Sequence, residues 1–598
     1  MKKIVNKAED VVQESMEGFI ACYGNLYRKH EEVNGVIYKG RRKNKVSLVI
    51  GGGSGHEPMF SGFVGKGLAD AAACGNIFAS PDPNTVYETA GAVQEGKGVL
   101  FVYGNYAGDN LNFDLGEEML NEENISTAHV RVWDDVASAP KERITDRRGI
   151  AGDVFVIKIA GGACDAGLSL AEATRVTEKA RDNTWSIGVA TSPGQIPGND
   201  KPTFELGENE IEYGMGLHGE PGIQRTVMQP ADVLVSVLYE NMMKEADIHQ
   251  GDEICVLING LGSTTILEMG IVYRKLKELL DQDGIRVHDS DINSFCTCQE
   301  MGGFSITLLK LDAELKQYYD MPCFCPFYAK GEITGSMQVY EEEEKEAERA
   351  KAADKTDTAS AALNQADSAA EMPEYRHEGV YESLTAQDAK AMLLYIADKV
   401  IEKKPYLTEI DSAIGDGDHG IGMAGGMQKV KEKLGHFPAT DNVYEVFETA
   451  GKAMLMSMGG ASGVIFGSLY LAGAKGMDAL ASLTPKALAA MERKSLEAIK
   501  ERGKAEVGDK TMVDALEPAV KAMEANSGKA LLEMLRAAEE AARQGMEDTK
   551  NYTAKFGRAK SLMERAVGHQ DAGATSVWLI FQGMREFVEN SVHSSQPD

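Results

Sequence analysis

Long apolar runs are missing from this 598-residue sequence. None approaches the roughly 18 residues that a membrane-crossing helix needs, which excludes helical membrane insertion. Basic residues are scarce, with 62 Lys and Arg against 92 Asp and Glu, a formal net charge of −30. That deficit excludes nucleic acid and anionic membrane as partners, because both require basic patches. Cysteine is absent after Cys325, and all eight (Cys22, Cys74, Cys164, Cys255, Cys296, Cys298, Cys323, Cys325) precede that point. The pairs Cys296/Cys298 and Cys323/Cys325 are spaced too tightly for a zinc ribbon or finger. Reduced thiols in a cytoplasmic chain are expected instead. The opening MKKIVNKAEDVVQESMEG has no continuous apolar segment and is not read as a signal peptide. Finally, no GxxxxGK[ST] string occurs, so any nucleotide site is not a P-loop.

The length allows several cores. From about residue 45, short apolar runs enter glycines: KVSLVI into GGGSG, GVLFVYG into NYAGD, VFVIKIA into GGACD, and ICVLING into LGSTT. Buried strands ending in glycine turns read as α/β architecture, with ligand sites at the carboxyl ends of the strands. All four runs are read as strands. This region spans 1–338, in two lobes with a break near 185–200. An acidic, Ala-rich linker follows over 339–379, where composition cannot support a core. Residues 380–598 then read as all-α. A capping box, Thr385-x-x-Asp388, opens a helix carrying Met392, Leu393, Ile396 and Val400 at helical spacing. ALAAMERKSLEAIK and ALLEMLRAAEEAARQ continue the pattern, with methionine stripes expected in the core.

Within that helical region, Asp411-Ser-Ala-Ile-Gly-Asp416-Gly-Asp418-His419-Gly420 packs three carboxylates among glycines. Such a cluster is stable only around a cation. A calcium EF-hand starting at Asp416 requires Glu at its twelfth position, where Met427 stands, so that reading fails. A magnesium site remains, with phosphate or water completing the shell. Met458-Gly-Gly-Ala-Ser462-Gly463 and Gly568-His-Gln-Asp571-Ala-Gly573 each open a helix whose amides suit an anion. Together the three loops point to Mg-nucleotide.

The first half carries a different set. Gly51-Gly-Gly-Ser54-Gly55-His56-Glu57-Pro58 follows the first strand and Asn105-Tyr106-Ala-Gly108-Asp109 follows the second. Gly214-Met-Gly-Leu-His218-Gly219-Glu-Pro-Gly222 adds a histidine with little packing role among glycines. Two histidines and one aspartate thus meet at strand ends, a pattern suited to acid/base and nucleophilic work.

These motifs, GGGSGHEP, NY-x-GD, GLHGEPG, IGDGDHG, GGASG, GDKTM and HQD-x-GATS, occur in the order seen in fused dihydroxyacetone kinases, which the sequence resembles over nearly its whole length outside the linker. The resemblance implies a multidomain chain, an N-terminal α/β ketose-binding domain of two lobes followed by an all-α helical barrel that binds Mg2+ and ATP. It implies that His218 forms a covalent hemiaminal with the ketose and that His56 and Asp109 act as acid and base. Gly53, Ser54 and Gly55, with His56, Asp109 and His218, would bind substrate. Asp411, Asp416 and Asp418 correspond to metal ligands. His419, Gly420, Gly460, Ala461, Ser462, Gly503, Met512, Arg558, Asp571, Ala572 and Gly573 correspond to nucleotide contacts. A homodimer is also implied.

Two departures stand out. Gly104 occupies the place of the family's usual lysine, which opens space for a longer ketose such as erythrulose. Ala572 replaces a proline but keeps Asp571 and Gly573. The leading expectation is ATP-dependent phosphorylation of dihydroxyacetone or a related short ketose on a terminal hydroxyl. An erythrulose kinase, a phosphotransferase-coupled fusion and a non-catalytic carbonyl sensor remain alternatives. A side activity as an FMN cyclase is not legible.

Overall fold

The computed structural model describes all residues except 1, 200, 332–380, 416, 418, 459, 558–565 and 594–598. The expected linker, Asp416, Asp418 and Arg558 therefore lie outside the described residues.

In the first lobe six strands form one sheet: β1 (Tyr27–Lys29), β2 (Gly35–Tyr38), β3 (Ser47–Ser54), β4 (Ala71–Ile77), β5 (Val99–Gly104) and β6 (Thr127–Val132). Their order is β1-β2-β4-β3-β5-β6. The β4-β3-β5-β6 section is parallel, so the carboxyl ends of β3 and β5 open on the same edge. Alternation along β5 sends Phe101 and Tyr103 under the flanking helices Pro83–Gly91 and Ala107–Glu122. Leu100 and Val102 face the opposite core.

A second sheet uses β7 (Thr184–Ser192), β8 (Glu210–Tyr213), β9 (Gln224–Val227), β10 (Glu253–Gly260), β11 (Arg286–Asn293) and β12 (Gly302–Leu311). Its order is β11-β10-β12-β7-β8-β9, mixed in direction. Helices Ala231–Glu245 and Ile266–Gln282 cover one face.

One sequence expectation is corrected here. VFVIKIA is not a strand but the body of helix Asp153–Asp165, whose residues from Asp153 to Cys164 are all buried. It lies between the two sheets, sharing a core with Leu48 and Leu100 on one side and Leu257 and Leu309 on the other. A helix enclosed on every side loses amphipathic periodicity and reads like a central strand. Its glycines are packing sites rather than a turn: a Cβ on Gly161 would meet Gly67 O at 2.4 Å, and one on Gly162 would meet Tyr318 O at 2.5 Å.

The C-terminal region is helical, from Ala386–Glu402 through Ala572–His593. The Thr385/Asp388 capping box is present in both directions. A single core gathers Met392, Met423, Met427, Met454, Met491, Met523, Met534 and Met584, so the methionine stripes are packing residues. All eight cysteines are unpaired, and Cys22 alone is exposed. Among the described residues no helix is long and apolar enough to cross a membrane.

Candidate active site

β3 delivers the first loop. A Cβ on Gly53 would meet the Ala79 backbone nitrogen at 2.8 Å, and Gly55 has φ +98°, a conformation that favours glycine. Ser54 donates its hydroxyl to Gly75 O at 2.7 Å, pinning the loop to β4. His56 then stacks on Phe78 with ring centroids 4.9 Å apart.

His218 arrives from the loop after β8 and meets His56 Nε2 to Nε2 at 3.2 Å. The opposite nitrogens fix the tautomers. His56 Nδ1 donates to the Thr297 carbonyl at 2.7 Å, and a carbonyl can only accept. His218 Nδ1 faces Glu220 Oε1 at 3.1 Å, and Glu220 Oε2 accepts the His218 amide at 2.9 Å. Burial alone would raise the Glu220 carboxyl, but His218 and Arg148 hold it well below the ordinary value, so it is an acceptor only. The two Nε2 atoms therefore face each other with neither committed elsewhere by these bonds.

Arg148 braces this arrangement by pairing with Asp135 at 2.8 Å while standing 3.7 Å from Glu220. The Tyr106 ring packs edge-on against His218, centroids 5.0 Å apart, and its hydroxyl donates to Gly149 O at 2.9 Å. Asp109 enters from the first turn of helix Ala107–Glu122. Asp134 accepts the amides of Ile150 and Gly152, each at 2.8 Å, and burial pushes its pKa up to about 6.

On the helical side, Asp411 ends helix Lys404–Ser412 and its Oδ2 accepts the His419 amide at 3.3 Å. Gly415 packs closely, since a Cβ there would meet Asp411 Oδ1 at 2.4 Å, while Gly417 turns at φ +77°. His419 is buried and its Nε2 contacts Ser576 Oγ at 2.8 Å; burial lowers its pKa although Asp411 opposes this. Gly420 follows it in helix His419–Gly435. Asp571 caps helix Ala572–His593 by accepting Ala574 N at 2.7 Å. Burial pushes its carboxyl up to about 7, with Asp514 and Asp411 adding to the effect. A Cβ on Gly573 would lie 3.4 Å from Met512 Cβ, so these two predicted contacts adjoin. Gly460, Ala461 and Ser462 begin helix Gly460–Ala474, and a Cβ on Gly503 would lie 3.6 Å from Ile465 of that helix.

Asp411 and Asp571 crowd like charge while the nearby Lys510 amine is committed to the carbonyls of Thr549 at 2.6 Å and His569 at 2.5 Å. A hard divalent cation fits such an all-oxygen set.

The two halves meet within one chain. Gly460 N donates to Ser80 O at 3.3 Å, and a Cβ on Gly108 would lie 3.3 Å from Gly460 Cα. Leu115 packs with Leu455 and Val464, and Arg502 pairs with Glu118 at 3.0 Å. The glycine loop expected to hold phosphate therefore lies directly beside the helix turn carrying Asp109.

Sequence reasoning missed Glu220, Thr297, Ser576 and Lys510. Glu220, Lys510 and Ser576 sat inside quoted motifs, but nothing in those motifs marks which polar side chain reaches the site. Thr297 offers only its carbonyl, which no side-chain pattern reveals.

Fold and site together define a two-domain phosphotransferase with an alcohol group as acceptor. The Dak1 domain model matches residues 17–327 and the DAK2 domain model matches 413–586. This chain belongs to the fused dihydroxyacetone kinase family. It is 34% identical over 603 residues to the L-erythrulose kinase of Pectobacterium atrosepticum, covering 100% of this chain and 98% of that one. It is likewise 34% identical over 593 residues to the D-erythrulose kinase of Mycolicibacterium smegmatis, covering 98% and 99%. Among solved structures, the dihydroxyacetone kinase from C. freundii in complex with AMP-PNP and Mg2+ is similar at 27% identity and TM-score 0.51, covering 98% of this chain and 99% of that one.

Proposed function

We propose that this protein transfers the γ-phosphoryl group of ATP to a terminal hydroxyl of a short ketose held covalently on His218. The observation that carries the reading is the 3.2 Å contact between His56 Nε2 and His218 Nε2, with both Nδ1 atoms already committed. It leaves His218 Nε2 as the nucleophile, with His56 Nε2 beside it as the proton donor to the carbonyl oxygen. In the capture step His218 Nε2 bonds to the ketose carbonyl carbon as the C=O π bond breaks. The oxygen takes the proton from His56 Nε2, giving a neutral hemiaminal hydroxyl. The alkylated imidazole carries the positive charge, and the Glu220 carboxylate against its Nδ1 stabilises it.

Asp109 would take the proton of the terminal hydroxyl as that oxygen attacks phosphorus, with ADP leaving. On the donor side, Asp411 with Asp416 and Asp418 would hold Mg2+, and Gly460 to Ser462 would present helix amides to phosphate. Bound Mg2+ would neutralise phosphate charge during transfer. Free use of ATP is favoured over recharging of a fixed nucleotide, and turnover over sensing, because one chain carries both the ketose-side loops and the helical domain expected to hold nucleotide.

Gly104 favours a four-carbon acceptor, and erythrulose kinases stand among the relatives. The test is ATP turnover with Mg2+ on dihydroxyacetone, D-erythrulose and L-erythrulose, together with intact mass of the trapped protein. Ketose-dependent ADP release and an adduct lost in His218→Ala are expected. An adduct that persists in that variant would sink the assignment of His218.

A further inference from the structure

The turn that opens the last helix, Ala572–His593, is held by hydrogen bonds more than by packing. Val567, Gly568 and His569 are exposed, yet Asp571 and Gly573, both expected to face nucleotide, follow directly. Bonds to the segment just past helix Leu531–Asp548 secure this turn. Gly568 N donates to Lys550 O at 2.7 Å, and Asp571 N donates to the Thr549 hydroxyl at 2.9 Å. Lys510 closes the ring: its amine donates to Thr549 O at 2.6 Å and to His569 O at 2.5 Å. Gln570 adds a bond to the Tyr406 hydroxyl at 3.0 Å, on the helix that ends beside Asp411.

Lys510 and Thr549 are both committed inward. Lys510 is only 2% exposed and Thr549 is fully buried. The Thr549 hydroxyl donates to Met546 O at 2.6 Å, which leaves its oxygen to accept the Asp571 amide. Lys510 also holds φ +61°, a conformation that side chains rarely adopt and that persists only where the surroundings enforce it. A buried ammonium is costly unless it is hydrogen-bonded, and here two carbonyls meet it. An amine shared in this way ties two segments together.

We infer that Lys510 and Thr549 are positioning residues for the donor half of the reaction, acting through Asp571 and touching no substrate. They hold the turn from Gly568 to Asp571 so that the Asp571 carboxyl and the first amides of the last helix stay aimed at Mg-nucleotide. This rests on the ketose-kinase reading of the site. Thr549→Val strands the Asp571 amide, and Lys510→Met strands the Thr549 carbonyl. Either change frees the turn to shift, and Mg-ATP then meets contacts that are no longer preformed.

The experiment measures kcat, KM for Mg-ATP and KM for the fastest of dihydroxyacetone, D-erythrulose and L-erythrulose. It uses the full chain and the variants Thr549→Val, Thr549→Ser and Lys510→Met, with the His218 adduct followed by intact mass. KM for Mg-ATP should rise roughly tenfold in Thr549→Val, and at least as much in Lys510→Met, as expected for a stranded buried partner. Thr549→Ser keeps the hydroxyl and should stay within about twofold of the wild-type value. Ketose KM and the adduct should not change in any variant. A mere loss of folded protein lowers kcat and leaves KM for Mg-ATP alone. An unchanged KM for Mg-ATP in Thr549→Val therefore overturns the inference and leaves the kinase standing. A rise as large in Thr549→Ser overturns it too, by tracing the effect to the lost methyl group. So does a kcat lowered in Lys510→Met alone, which would put that amine on phosphate. Thr549→Val is isosteric and decides the matter if Lys510→Met does not fold. Absence of Mg-ATP turnover by the wild-type chain on all three ketoses overturns the kinase reading, and this inference with it.

Discussion

The Asn112 side-chain amide donates to the Gly460 carbonyl at 3.3 Å, across 348 positions of sequence. Asn112 lies three residues after Asp109 on the same helix, so the two share one face. The helix that carries Asp109, the base proposed for the acceptor, therefore also grips the loop expected to hold the donor phosphate. Leu115 against Leu455 and Val464 forms the apolar part of the same contact.

Loosening that surface should separate the two half-reactions. Leu115→Asp buries a charge against Val464 and is expected to lower ATP turnover by roughly a hundredfold, since alignment governs phosphoryl transfer. The His218 adduct should form at its normal rate. Mass spectrometry and an ADP-release assay on the same sample decide it, and equal loss of both would mean that the variant damages the ketose lobe itself.

Capture should depend on His56 as the proton source. His56→Ala is expected to slow adduct formation by roughly 10²–10⁴-fold, the usual range for a positioned acid. Glu220→Gln should slow it as well, because the carboxylate that stabilises the alkylated ring is gone. Glu220 has a depressed folded-state pKa, so its stabilising charge is present above the unfolded value of about 4.3 and disappears only as pH falls through the lower folded value. Capture rates measured from pH 5 to 8 should thus show no loss traceable to this carboxyl.

Chelation should leave capture intact. With excess EDTA, or in Asp411→Ala and Asp416→Ala, ADP release is expected to stop while the hemiaminal mass remains. Turnover that survives chelation would show that these carboxylates hold no catalytic metal.

Glu492 gives a stability test away from the site. It is buried in the helical core, and neither side-chain oxygen has a partner among the described residues. Burial pushes its carboxyl up to about 8. The folded chain then keeps a proton that the unfolded chain releases above about pH 4.3, so stability declines from there to about pH 8 and levels off beyond. Glu492→Met should raise Tm, and by more at pH 8 than at pH 5. A shift that is the same at both pH values would show that the carboxyl is ionised in the fold.

Much of this molecule is legible in its residues because the signals are local. Thr385 and Asp388 form the capping box their spacing announces, and the glycines beside His56, His218 and Asp411 sit where strands or helices turn into the site. VFVIKIA was not legible. Its periodicity is erased by burial on every side, and only the sheets above and below decide that it is a helix. Thr297 was invisible for a related reason. It contributes a carbonyl, which belongs to no residue type.

The sequence by itself determined the inventory: two histidines and an aspartate on one set of glycine turns, and a carboxylate loop on another. Side-chain chemistry and backbone freedom are properties of short segments, so a linear reading recovers them. Only the tertiary structure decided which groups meet. The His56–His218 contact and the docking of Asn112 on Gly460 depend on where sheets and helices pack, and packing is fixed by the whole core at once.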